Sequence, residues 1–261
     1  MSAAVFTREP AFLAAVAELP IAARVADGAH DAVAVLGGER VVEQALRAQD
    51  DGAVALVVSD AVSLRTADFE ALHAGVRIPL VIARRRVRPD VANGLGAASD
   101  AVRAVVVEAS ATAAERIGTT RDAVAWARLL ARGDLRSVAV EATPTASLAL
   151  FERATVPVTV LVSVARTGAS VIRAHTLGHE RAEVTIDDGA LVQRVEQTTG
   201  EGTTIAPHRF ETLHRLTLRR ALAAAADQTQ PTDLADALHD ARFADALAAA
   251  ESAEPRRHKR S

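Results

Sequence analysis

An α/β half followed by an α+β half is the fold class this sequence predicts: a parallel sheet flanked by helices, then an antiparallel sheet with helices packed on one face. Over about the first hundred residues, short apolar runs alternate with helix-like stretches, the rhythm of strands joined by crossover helices. Beyond the Gly- and Asp-containing stretch from Asn93 to Asp100, apolar runs come closely spaced and are divided mainly by turn residues. Two long helix-like stretches close the chain.

In chain order, Phe12 to Leu19 reads as helical, Ala32 to Leu36 as a strand, and Glu39 to Ala48 as a helix with Val42, Ala45 and Leu46 on one face. Ala53 to Ser59 is a second strand, Ala67 to Ala74 a helix and Ile78 to Ala83 a third strand. The unbroken run Val54-Ala55-Leu56-Val57-Val58 suits a strand buried on both faces. Val102 to Glu108 opens the second half as a strand, and Thr120 to Ala131 follows as a helix carrying Val124, Leu129 and Leu130 beside Trp126. Further β-runs include Val138–Ala142, Val156–Ala165, Ser170–Thr176, Ala182–Ile186 and Leu191–Glu196. The turns Arg166-Thr167-Gly168 and Asp187-Asp188-Gly189 are expected to reverse the chain through positive φ at their glycines. The closing helices read His208 to Ala226 and Asp233 to Ala250. Thr232 stands to cap the second, with Asp233 and Asp236 at the positive end of its dipole.

Composition excludes several chemistries. The only Lys in 261 residues is Lys259, inside the closing run Arg256-Arg257-His258-Lys259-Arg260, so no mechanism that needs a lysine ammonium in the folded body is open. Zero cysteines remove disulfides, thiolate nucleophiles and cysteine-ligated zinc together. A formal charge of −3 with no Tyr argues against capture of nucleic acid. Arg8, Glu9, Pro10 and Glu18 interrupt the N-terminal apolar residues, so neither a membrane span nor a signal peptide is expected, and the cytoplasm is the expected compartment.

Candidate site residues follow from position. Gly37 and Gly38 lie between a strand and a helix, where a phosphate meets helix N–H groups, and are the cofactor-binding candidates; a tight structural turn is the competing reading. Their context Leu36-Gly37-Gly38-Glu39-Arg40 is not G-x-G-x-x-G, and Glu39 places a negative charge near the phosphate position. The stretch Gly94-Leu95-Gly96-Ala97-Ala98-Ser99 follows no convincing strand and reads as a linker. His175 and His179 sit in extended chain about 13 Å apart, too far to share a metal. His208, Glu211 and His214 fall in one helix without an H-E-x-x-H pattern, which makes Glu211 and His214 an i,i+3 pair rather than metal ligands. Arg84-Arg85-Arg86-Val87-Arg88 is the dense positive cluster of the body, at the end of a strand where open α/β sheets bind ligands, so Arg84 and Arg85 are the substrate or anion candidates.

Read together, these features resemble the Gfo/Idh/MocA oxidoreductases. Thr120 to Leu130 is similar to the family helix G-x-H-x-x-D-x-x-x-W-L-L-G, Leu135 to Val140 to the strand after it, and Gly178 to Gly189 to the family's G-x-x-G-x-x-x-x-D hairpin. Thr212 to Leu216 and Asp233 to Ala241 are similar to its closing helices. The resemblance implies a degenerate Rossmann-like domain over 1–98, a C-terminal-like α+β domain with a large, mostly antiparallel open sheet over 99–254, and a disordered basic tail over 255–261. It also implies NAD(P) as cofactor, an E-K-P lysine as the group that polarises the substrate oxygen, and an Asp and a His on the helix above. Here Val81-Ile82-Ala83-Arg84-Arg85-Arg86 occupies the strand compared with E-K-P, Asp122 stands near the family's aspartate, and Arg121 stands where the histidine is expected. Arg121 and Asp122 are therefore the catalytic candidates. An arginine can stabilise an alkoxide but cannot shuttle its proton. The chain is also some tens of residues shorter than usual members. Two functions follow as expectations: a non-catalytic binding or partner subunit with no NAD(P) affinity or little, working as a homo-oligomer or with a full-length relative, or a divergent NAD(P)-dependent dehydrogenase of a sugar- or polyol-like small molecule.

Overall fold

The computed structural model describes residues 2–95, 102–207 and 210–253. Two units emerge from it: one holds the chain up to Arg85 together with Phe210–Leu238, the other the described residues from Arg86 to Pro207 together with those from His239.

Five short, parallel strands form the sheet of the first unit: β1 (Ala3–Phe6), β2 (Ala23–Val25), β3 (Ala32–Leu36), β4 (Ala55–Val58) and β5 (Leu80–Ile82), in the order β2-β1-β3-β4-β5. Every residue of β3, β4 and β5 is buried, as continuous Ala/Val/Leu runs covered on both faces require. Helices α1 (Pro10–Ala17), α2 (Val41–Asp50) and α3 (Thr66–Gly75) make the crossovers, and α6 (Leu213–Asp227) returns to this unit. One parity of the strands, Val5, Val33, Val35, Val57 and Val81, packs with Phe12 and Val16 of α1 and Leu218 and Ala221 of α6. α2 packs against α3 and over β3 and β4. The parallel sheet is as expected, but its first two strands were not: β1 is an interior strand of the sheet, between β2 and β3, and the runs read as first, second and third strands are β3, β4 and β5. A stretch of four residues before an exposed Arg8, and a three-residue edge strand carrying Arg24, lack the length of apolar run that marks the others.

The second unit holds an eight-stranded sheet in the order β13-β12-β11-β10-β6-β9-β8-β7, made of β6 (Val102–Ala111), β7 (Arg136–Ala142), β8 (Ala146–Arg153), β9 (Val156–Val164), β10 (Val171–Gly178), β11 (Arg181–Asp187), β12 (Val192–Thr199) and β13 (Gly202–Ile205). The β6–β9 pair is parallel and all other pairs are antiparallel. Helix α4 (Pro89–Ala92) with a single 3-10 turn leads toward β6, and α5 (Arg116–Ala131) packs across β6, β9 and β10. Alternation is clean: Val105, Val107, Val158, Val160, Val162, Ile172, Ala174, Val184 and Ile186 meet Trp126, Val124 and Leu130 of α5. Trp126 is fully buried and its indole N–H donates to the Arg86 carbonyl at 2.8 Å. From α7 (Asp233–Ala253), Leu247 joins this core and Phe243 meets Phe151 edge-on at 5.0 Å.

Two turn readings resolve differently. Gly168 has the expected positive φ of 105°, but Gly189 does not; Leu191 takes the left-handed position at φ 53°. Asp187 makes the difference, because its Oδ1 accepts the N–H groups of Gly189 and Ala190 at 2.9 Å each and turns the chain through its side chain. At the start of α7 the Thr232 hydroxyl donates to Asp236 at 2.8 Å, while Asp233 accepts two bonds from Arg220 and the Ile82 N–H. α6 begins at Leu213, capped by Thr212, which accepts the Arg215 N–H at 3.3 Å; His208 lies outside the described residues, as do residues 96–99 and the basic tail.

Candidate functional site

In a 2-1-3-4-5 sheet the crossovers from β1 and β3 leave in opposite directions, and the crevice between the loops that follow these two strands is where such sheets bind nucleotides. The loop after β1 is Thr7-Arg8-Glu9, leading into α1 with Pro10 at its first turn. Glu9 is the N-cap residue in extended conformation, and its carbonyl accepts the Phe12 and Leu13 N–H groups at 3.0 Å each. Its side chain makes no capping bond. Instead the carboxylate reaches across the end of β3 and accepts the Ser59 hydroxyl, at the end of β4, at 2.5 Å. Ser59 is fixed in turn, its N–H donating to the Leu36 carbonyl at 2.9 Å.

Gly37 lies under this bridge. A Cβ at that position would collide with both Glu9 Oε1 and Ser59 Oγ, so the close approach requires glycine. Gly38, at φ 73°, and Arg40, at φ 64°, carry the chain through left-handed conformations into α2, and Gln44 Nε2 donates to the Glu39 carbonyl at 2.9 Å. The two glycines thus follow β3 at the switch point, Gly37 beneath a carboxylate and Gly38 with open space around it.

A dinucleotide pyrophosphate does not fit these residues as they stand. Its usual seat is a glycine-rich first turn with N–H groups of the following helix pointing at the phosphate. Here that turn has no glycine, Pro10 contributes no N–H, and a carboxylate fills the space above Gly37.

The remaining candidates lie elsewhere. Arg84 and Arg85 follow β5 by one residue, Arg84 half-buried and Arg85 exposed. Arg86 and Arg88 turn inward onto acids: Arg88 holds Asp90 through two bonds at 2.9 and 2.7 Å. Arg86, with 6% of its side chain exposed, meets Asp188 at 2.6 Å, Glu115 at 3.1 Å and Asp122 at 3.6 Å. The positive cluster seen in the sequence is therefore divided between Arg86 and Arg88, buried on acids, and the less buried Arg84 and Arg85. Asp122 and Arg121 are both buried on α5, Asp122 beside Arg86. Ser170 joins this network, donating to Glu115 and hydrogen-bonded to Thr119 at 2.9 Å. His175 lies within β10 and His179 in the turn beyond it; Glu211 accepts Arg219 at 2.9 Å, and the His214 ring meets Phe12 edge-on at 5.0 Å.

Sequence reading missed Glu9, Thr7, whose hydroxyl accepts the Glu9 N–H at 3.2 Å, and Ser59. The signal for the first two was the apolar run Ala3-Ala4-Val5-Phe6 ahead of a Pro that can open a helix. Ser59 had none, because its meaning depends on a partner fifty residues away.

This chain has the two-domain Gfo/Idh/MocA fold, a parallel Rossmann-like sheet and a larger mixed sheet with helices. Among solved structures it is similar to a dehydrogenase (MviM) from Clostridium difficile, at 10% identity and TM-score 0.62, covering 94% of this chain and 88% of that one. It is also similar to KijD10, a 3-ketoreductase from Actinomadura kijaniata crystallised as a mutant with TDP-benzene and NADP, at 15% identity and TM-score 0.63, covering 95% and 96%. A third is UDP-N-acetylglucosamine 3-dehydrogenase GnnA from Acidithiobacillus ferrooxidans, at 18% identity and TM-score 0.65, covering 96% and 90%. No family model and no curated protein matches the sequence. No described helix is long and apolar enough to cross a membrane.

Proposed function

We propose that this chain uses the Gfo/Idh/MocA fold as a non-catalytic partner subunit. The observation that carries the reading is the loop after β1, which has no glycine and is bridged to β4 by the Glu9–Ser59 hydrogen bond. The lysine that the family resemblance calls for is missing from the body of the chain, and Asp122 is engaged with Arg86 instead of standing ready for substrate. Titration with NADPH up to millimolar concentration, followed by calorimetry, tests the reading: no binding is expected, and saturable binding would overturn it.

The partner we assign is a second copy of this chain, seated on the face of the large sheet opposite α5. Leu148 and Leu161, cross-strand partners on β8 and β9, are 45% and 36% exposed there, with Leu150 beside them. Farther along the same face the charges are already paired, Arg181 with Glu183 at 2.9 Å and Arg194 with Glu196 at 2.6 Å, and Arg173 lies opposite Glu108. An apolar area beside neutralised charge complements itself, which is what a two-fold contact requires.

The second reading is an NAD(P)-dependent dehydrogenase of a sugar-like or polyol substrate. It is favoured by one observation, that KijD10, whose fold covers 95% of this chain, was crystallised with NADP. The same titration separates the two.

A further inference from the structure

We infer that Glu9 is an internal occupant of the switch-point crevice and, of the features there that do not suit a dinucleotide phosphate, the one that does most to keep it out. The inference deepens the non-catalytic reading and rests on it for which crevice is at issue. Three features assign this role to Glu9 rather than to the loop as a whole. First, Glu9 is the N-cap residue of α1, and its carboxylate, making no bond to the helix N–H groups, lies over Gly37 between the loops after β1 and β3, so the protein's own anion stands in the crevice a phosphate would enter. Second, it is held there: the Ser59 hydroxyl donates to it at 2.5 Å, and Gly37 beneath has no side chain to displace it. Third, it excludes by charge as well as by volume, because a phosphate entering above Gly37 meets a fixed negative charge at short range in a half-buried setting.

The flanking backbone remains suited to an anion once the carboxylate is gone. Gly38 is left-handed with open space around it, and Gly37 is already bare. What Pro10 withholds is one N–H; the Ala11 N–H is still at the helix start.

Glu9→Ser removes both the bulk and the charge. Serine is a strong N-cap residue and Glu9 makes no capping bond, so the variant should keep α1. Glu9→Gln keeps the bulk and the contact with Ser59 while removing the charge. NADPH is titrated calorimetrically into the wild type and both variants, with circular dichroism to verify the fold and adenosine as a phosphate-free control. Against a wild type that shows no NADPH binding up to millimolar concentration, we expect E9S to bind with a Kd of about 0.1 mM or tighter, at least about tenfold below that limit, E9Q to fall between them, and adenosine to gain nothing. A folded E9S with a smaller gain, or an equal gain for adenosine, overturns the role of Glu9. The ratio of E9S to wild type decides this inference, whereas the absolute affinity of the wild type decides the non-catalytic reading, so either can fail alone.

Discussion

Arg86 sets one guanidinium among three carboxylates, and the balance of burial decides what each contributes. The side chains of Asp122 and Asp188 are 10% and 9% exposed, so removing Arg86 takes a guanidinium from two acids that see little water. Arg86→Met is expected to cost about 3–5 kcal/mol, read from urea unfolding followed by the fluorescence of Trp126, the sole tryptophan. Glu115 is nearly half exposed and Glu115→Gln should cost less than about 1 kcal/mol, since water replaces much of what the ion pair supplies. Equal losses for both variants would mean that the network acts as one body. At this scale the sequence is least legible. Four closely spaced arginines showed their positive charge openly, but Asp188 lies 102 positions from Arg86, and nothing local says that Arg86 turns inward while Arg85 stays out. The Glu9–Ser59 bridge is hidden for the same reason: neither residue type carries a motif, and only the sheet order brings them together.

Elements are legible in proportion to the length of their hydrophobic pattern. β3 is read to the residue from Ala-Val-Ala-Val-Leu, and α5 was placed from Trp126 and the leucines near its end, though its first turn, Arg116 to Thr119, was not seen. β1 is too short to declare itself, and missing it moved attention from Thr7-Arg8-Glu9 to Gly37-Gly38 as the first βα turn. Charges that join elements are equally silent. Asp233, at the start of α7, receives Arg220 of α6 through two bonds at 2.9 and 2.6 Å and also accepts the Ile82 N–H of β5 at 3.0 Å. One carboxylate thereby ties two helices to the sheet edge. Asp233→Ala leaves a buried amide without its acceptor and a guanidinium without its acid, for an expected loss of about 2–3 kcal/mol. Amide exchange at Ile82 should accelerate well beyond that of Val81. Unchanged protection at Ile82 would refute the tie.

For the molecule as a whole, the two fold classes were predicted correctly because each has its own rhythm: strands separated by helices in the first sheet, strands separated by turns in the second. The face of the eight-stranded sheet away from α5 gives the prediction at this scale. Paired substitutions Leu148→Asp and Leu161→Asp put charge into the proposed contact without touching the Val158–Val162 core side. Sedimentation velocity should then find a monomer at concentrations where the wild type sediments as a dimer, with unchanged far-UV circular dichroism. A wild type that is monomeric throughout removes the self-association. The chain order of the first unit has a consequence of another kind. Its five strands are complete by Ile82, yet α6, which brings Leu218 and Ala221 against Val5, Val33, Val35 and Val57, is encoded only after the whole large sheet. At about 5–20 residues per second, a ribosome needs on the order of ten seconds to cross that interval. For that time α1 alone must shelter the face of the parallel sheet that α6 will cover, so a sheet made before the large one is finished after it, and the nascent chain presents an unfinished valine-rich face to whatever waits at the tunnel exit.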